Sequence, residues 1–207
     1  MLDLRKKIPF EEFDYNILLS ALADYKNPRV KINDLIHKNL IVRVKKGIYV
    51  FGPKIAHKPY SPMLLSNMVY GPSYISLEYA LSYYNLIPER VREVTCVTNK
   101  RNKIFNTPVG RFSYKYINPK LYLLSTVLNP MDTQRNVHMA TKEKSLVEML
   151  YFNHQRVSEL GIKCYLFDDL RIDIESLKTI DIQKAARIAQ MYRRGTENSV
   201  RKIQELI

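Results

Sequence analysis

Nine basic side chains (Lys26, Arg29, Lys31, Lys38, Arg43, Lys45, Lys46, Lys54 and Lys58) fall between residues 26 and 58 against one acid, Asp34. The chemistry such a set does is ion pairing with phosphate, so a duplex backbone is its natural partner. Asn33 and His37 add side chains that hydrogen-bond base edges, while Lys38, Arg43, Lys45 and Lys46 are expected on phosphates, with Arg29 and Lys31 flanking them. The competing reading is a solvated charged face. It loses weight because the charge is one-sided, lies on a helix of groove-entering length and recurs at a hairpin tip.

The elements that must position these groups follow from spacing. Pro28 suits a first helical position, where its missing N–H is no loss. Ile32, Leu35 and Ile36 share one face, and Leu40 closes the apolar patch. Asn39 ends the helix, since Asn tolerates the left-handed conformation found there. Ile41–Val44 and Ile48–Phe51 then read as strands around the Lys45-Lys46-Gly47 turn. Helix followed by hairpin predicts the tail of a winged helix-turn-helix with a basic hairpin tip. Upstream, Asp14 is a plausible cap for a helix whose Leu18, Ala21, Leu22 and Tyr25 face Ile32 and Leu35. The third helix of such a domain is assigned to Pro9–Phe13. Winged helices also serve as protein-docking modules, so charge alone does not decide the partner.

The fold class expected is α+β: a winged helix over residues 1–58, then a mixed C-terminal domain over 59–207 with a small sheet and C-terminal helices. The proline-rich stretch 53–62 is read as the linker. A net charge of +13 over 207 residues favours a polyanion. No run of about 18 uncharged apolar residues exists, so no membrane partner is expected. The N-terminus lacks the apolar core of a secretory signal. Cys96 and Cys164 are read as buried reduced thiols of a cytoplasmic protein.

In the C-terminal part Ser73 or Ser76 is expected to cap a helix running to about Asn85, and Thr141 another through about Asn153. Strands are expected at Val91–Thr98, at two segments within Lys103–Ile117, and at Tyr122–Ser125. Phe112, Tyr114 and Tyr116 share one face beside basic residues, which suits either base stacking or simple packing under a helix. A second basic patch includes Arg187, Arg193 and Arg194. These aromatic and basic groups carry the alternative reading, an RNA-binding protein. Catalysis leaves little trace: six glycines form no phosphate-cradling loop, and four histidines have no companions at metal-ligand spacing. No enzyme activity, cofactor or metal is expected.

Three motifs in order, Lys46-Gly47-Ile48-Tyr49, the run from Tyr70 to Leu81 (YGPSYISLEYAL) and Ala140–Leu146 (ATKEKSL), resemble the AbiEi family of antitoxins from type IV toxin-antitoxin systems, which act in abortive infection. Asn39 and Asn85 stand where that family commonly has glycine, and Lys142 where it often has proline. The resemblance implies an N-terminal winged helix that binds inverted repeats in the double-stranded DNA upstream of its own operon and represses transcription. It further implies a C-terminal domain that counters a co-encoded nucleotidyltransferase-like toxin without a stable complex. Ser73, Ser76, Glu78 and Lys144 carry over as elements of the antitoxin domain. Lys144 sits in the first turn of its helix, against the dipole, which points to a function or a carboxylate partner.

Overall fold

Asp14 accepts a hydrogen bond from the Ile17 N–H at 2.9 Å and so starts the helix that the sequence predicts there. Around it, the computed structural model describes residues 2–207. The first six elements are α1 (Leu2–Lys7), β1 (Glu12–Asp14), α2 (Tyr15–Ala21), α3 (Pro28–His37), β2 (Ile41–Lys45) and β3 (Ile48–Phe51). The strands form an antiparallel sheet in the order β1-β3-β2. The helix expected at Pro9–Phe13 does not form, since the chain there straightens into β1, and a helix lies at Leu2–Lys7 instead. Pro28 occupies the start of α3 and Asn39 takes a φ of 54° just beyond its end.

One face of this sheet closes on the helices: Phe13, Ile41, Tyr49 and Phe51 pack with Leu18, Leu22, Ile32 and Leu35. The other face is also covered. Val44, Ile48 and Val50 share a core with Leu64, Leu65 and Val69 of α4 (Pro62–Val69) and with the second sheet. All four residues of β3 are buried. β-branched residues on both faces of the hairpin demand two apolar partners, and the C-terminal part supplies the second.

The second sheet has six strands in the order β6-β7-β5-β4-β9-β8. They are β4 (Ser73–Ile75), β5 (Val94–Thr98), β6 (Lys103–Thr107), β7 (Gly110–Tyr116), β8 (Thr126–Pro130) and β9 (Asn136–Ala140). Between them lie α5 (Leu77–Tyr83) and α6 (Pro119–Tyr122). Residues 122–125 leave α6 through a turn instead of forming a strand, because the ladder resumes only at Thr126. Then follow α7 (Lys142–Phe152), α8 (His154–Leu160), α9 (Ile162–Cys164), which runs into a wider π turn at Tyr165–Asp169, α10 (Ile174–Lys178), α11 (Ile182–Gln190) and α12 (Arg194–Gln204). Thr141 caps α7 as expected, accepting from the Lys144 N–H. Residues 143–150 of α7 are all buried, under α5, α11 and α12 on the helical side of the sheet. Cys96 is buried but Cys164 is exposed, which corrects the second thiol assignment.

The stretch read as a linker is strapped down. Glu11 accepts from the His57 and Lys58 N–H groups, and Glu12 accepts from the Ser61 N–H. Arg135, from the β8–β9 connection, donates to Glu12 at 2.7 Å and lies 4.5 Å from the Phe10 ring. Both carboxylates are nearly fully buried, so the N-terminal six elements and the larger sheet are held together by charge-assisted bonds as well as by a shared apolar core. Among the described residues no helix is long and apolar enough to cross a membrane.

Candidate nucleic-acid interface

Helix α3 buries Ile32 and Leu35 and leaves Arg29, Asn33 and His37 exposed at i, i+4 and i+8, one above the other on its outer face. Val30, 67% exposed, borders the same stripe. Lys31 and Lys38 are in a different position from the rest, for both pair with Asp34, at 3.3 and 2.7 Å. Hydrogen bonding to Lys38, joined by Lys31, holds the Asp34 carboxyl below its ordinary value. That carboxylate offsets much of their charge, and Lys31 also lies 5.3 Å from the Tyr25 ring.

At the hairpin, Gly47 takes a φ of 87°, which a residue without Cβ adopts at no steric cost. Its carbonyl accepts from the Tyr15 N–H at 2.8 Å, tying the turn to the start of α2. Arg43 and Lys46 are exposed. Lys45 is not with them. The β2–β3 register slips between Arg43 and Lys45, and the Lys45 amine donates to the Val69 carbonyl at 2.8 Å and sits 4.6 Å from the Phe105 ring. Burial, with Lys103 and Lys100 nearby, lowers its pKa from the ordinary lysine value. A bulge that re-aims one side chain explains the departure from the expected set of three tip cations.

The residues assigned to the antitoxin domain separate into two places. Lys144 is fully buried and donates to the Leu121 and Tyr122 carbonyls at 2.9 and 3.0 Å, with its amine 3.7 Å from Glu148 and 4.4 Å from the Tyr74 ring centre. Glu148, equally buried, accepts from the hydroxyls of Ser76 and Tyr74 at 2.5 Å and of Tyr192 at 3.0 Å. Ser76 stands before α5, yet its hydroxyl goes to Glu148 and makes no cap bond. The expected cap is thus replaced by a tertiary bond. Ser73 lies in β4, buried, and Glu78 opens the first turn of α5. Burial brings the Lys144 amine down to about 8 and pushes the Glu148 carboxyl up, opposed by Lys144 and the three hydroxyls.

This cluster joins β4, α7 and the end of α11 in the middle of the helical layer, which suits a specifying polar core better than contact with a partner. The sequence marked Lys144 but missed Glu148, Tyr74 and Tyr192; the signal for Glu148 was its position one helical turn after Lys144. Arg187, Arg193 and Arg194 lie elsewhere, exposed on α11 and at the start of α12. Arg193 donates to the Tyr151 carbonyl and covers its ring at 4.7 Å. Phe112 and Tyr114 are buried at 1% and 2% exposure, so the β7 aromatic face packs in the core and does not stack bases; only Tyr116 reaches the surface.

Among the described residues no group of three or more His, Cys, Asp or Glu side chains is placed to hold a metal ion. Compared with protein-family models and with curated proteins, the chain matches none.

Proposed function

We propose that this chain is a DNA-binding transcriptional autorepressor joined to an antitoxin domain, that its first six elements act as a winged helix-turn-helix, and that α3 enters the major groove. The observation that carries this reading is the outer face of α3, where Arg29, Asn33 and His37 are exposed in line, together with the exposure of Arg43 and Lys46 on the hairpin. The order helix, strand, helix, helix, strand, strand with an antiparallel sheet supports the same reading. Asn33 and His37 read base edges, and Arg29, Arg43 and Lys46 hold phosphates. In this reading the DNA target is an inverted repeat upstream of the operon, and the C-terminal domain acts against a nucleotidyltransferase-like toxin without a stable complex. The antitoxin half rests on the three resembling motifs, and the protein works by binding and not by catalysis.

Lys45 and Lys46 separate the reading from general basicity. In anisotropy titrations with an upstream duplex, Lys46→Ala is expected to weaken binding to all sequences and to reduce the slope of log affinity against log salt by about 0.9. Lys45→Ala leaves that slope unchanged, since the register slip turns its amine away from the hairpin tip onto the Val69 carbonyl and the Phe105 ring. Equal losses from both substitutions, or from neither, contradict the assignment.

A further inference from the structure

From Val94 to Met131 the chain has six basic residues and no Asp or Glu. Two of them, Lys100 and Arg101, occupy the turn from β5 into β6, an edge strand of the larger sheet, and a third, Lys103, opens β6 itself. Some cations of this half have carboxylate partners, as Arg111 has Glu93 and Arg135 has Glu12 and Asp132. Among the described residues, no ion pair reaches Lys100, Arg101, Lys103 or the neighbouring Lys45.

The charges are also crowded. The amines of Lys45 and Lys103 lie 4.6 and 5.6 Å from the Phe105 ring centre, and that of Lys100 lies 5.5 Å from Tyr70. Those two rings are 5.6 Å apart. Gathering like charges without a counter-charge is unfavourable in the free protein and becomes favourable when an anion joins them.

Beside this cluster opens a cleft of about 610 Å³ lined by Tyr70, Asn99, Lys100, Arg101, Asn102 and Tyr116. Its floor is held in place: the Tyr70 hydroxyl donates to the Arg101 carbonyl at 3.3 Å, and Asn102 Oδ1 accepts from the Tyr116 N–H at 2.6 Å. Lys100 spends one donor on the Gly71 carbonyl at 2.5 Å and keeps its charge. Tyr116 is 48% exposed, a ring with a face open to stacking. Two cations, two amides and an exposed aromatic around one cleft make the donor set of a nucleotide site, in which stacking and phosphate pairing act together.

We propose that this cleft binds an unpaired nucleoside phosphate, with Lys100 and Arg101 on the phosphate, Tyr116 stacked on the base and the Asn99 and Asn102 amides at the base edge. The ligand is either a free nucleotide or one residue of a single strand. The site is independent of α3, and the two fail separately.

The test is titration of the full chain with ATP, with a short single-stranded RNA and with a duplex, at about 0.15 M salt. Tyr116→Ala is expected to weaken single-strand or ATP binding by roughly fivefold or more, with Tyr116→Phe restoring it. Lys100→Ala with Arg101→Ala is expected to flatten the salt dependence of single-strand binding by about 1.4. Arg43→Ala with Lys46→Ala leaves both unchanged. Competition of the strand by ATP marks a free-nucleotide pocket, and binding of the strand alone marks a strand site. Loss of single-strand binding with the hairpin pair, indifference to Tyr116→Ala, or no binding of either probe overturns the proposal; an unaltered thermal midpoint of each variant excludes misfolding as the cause.

Discussion

Truncating Glu148 to alanine is expected to cost about 3–5 kcal/mol of folding stability, read as a lower urea midpoint, because it leaves the Lys144 ammonium buried without its counter-charge. Neither side chain of this pair has any solvent exposure. The same change removes the acceptor for Tyr74, Ser76 and Tyr192, stranding three hydroxyls in the core. Replacing both partners by apolar residues of similar volume, Lys144→Met with Glu148→Leu, is expected to cost less than the sum of the two single changes. Additive losses would mean that the two charges do not interact.

The pair also predicts a pH dependence. The Lys144 amine titrates at about 8 in the folded protein, against about 10.4 for an unfolded lysine. Between those values the unfolded chain binds more protons, so this residue adds stability as pH rises from about 8 toward 10. Cys96, pushed up to about 12 by burial, acts in the opposite sense once pH exceeds its unfolded value of about 8.5. The difference in unfolding free energy between wild type and Lys144→Met cancels Cys96 and reports the lysine together with Glu148, whose carboxyl loses its opposing charge in the variant and is pushed further up, in the same sense. It should change in favour of the wild type across that window; a flat difference contradicts the burial argument.

The second large effect belongs to α3. Asn33→Ala is expected to lower affinity for the cognate repeat by about 1–3 kcal/mol while leaving affinity for unrelated duplexes nearly unchanged. The reason is positional, since Asn33 is exposed in the centre of the outer stripe between Arg29 and His37 and touches none of the core that holds the helix. A loss shared equally by cognate and unrelated DNA would move Asn33 from base reading to backbone contact.

Much of the local structure was legible because single residues dictate it. Asp14 and Thr141 cap their helices, Pro28 opens α3, and Asn39 and Asn85 take positive φ where the chain must turn. What was not legible depends on partners distant in sequence. Alternation in the hairpin marks two faces but not what covers each, so β3 being buried on both sides had no local signature. Lys45 and Lys46 look alike in the sequence, and a register slip with a Val69 carbonyl tells them apart. The strand pattern around Phe112 and Tyr114 fits an open stacking face as well as a packed one, and only α4 across the sheet decides it, where Tyr114 donates to the Ser66 carbonyl. Short strands such as β4 exist only through their neighbours: Ser73–Ile75 pairs with β5 on one side and β9 on the other. Lys45 lies far in sequence from Lys100 and Lys103, and only the fold brings their amines to the adjacent rings of Phe105 and Tyr70.

The proposed winged-helix repressor is tested most directly by the salt dependence of binding to an upstream duplex carrying the inverted repeat, for the wild type and for a variant with Arg29, Arg43 and Lys46 changed to alanine. The account predicts specific binding by the wild type and a slope of log affinity against log salt that is shallower by about 2.7 in the variant, three phosphate contacts at about 0.9 each. Equal slopes, or no duplex binding by the wild type at low salt, would contradict it.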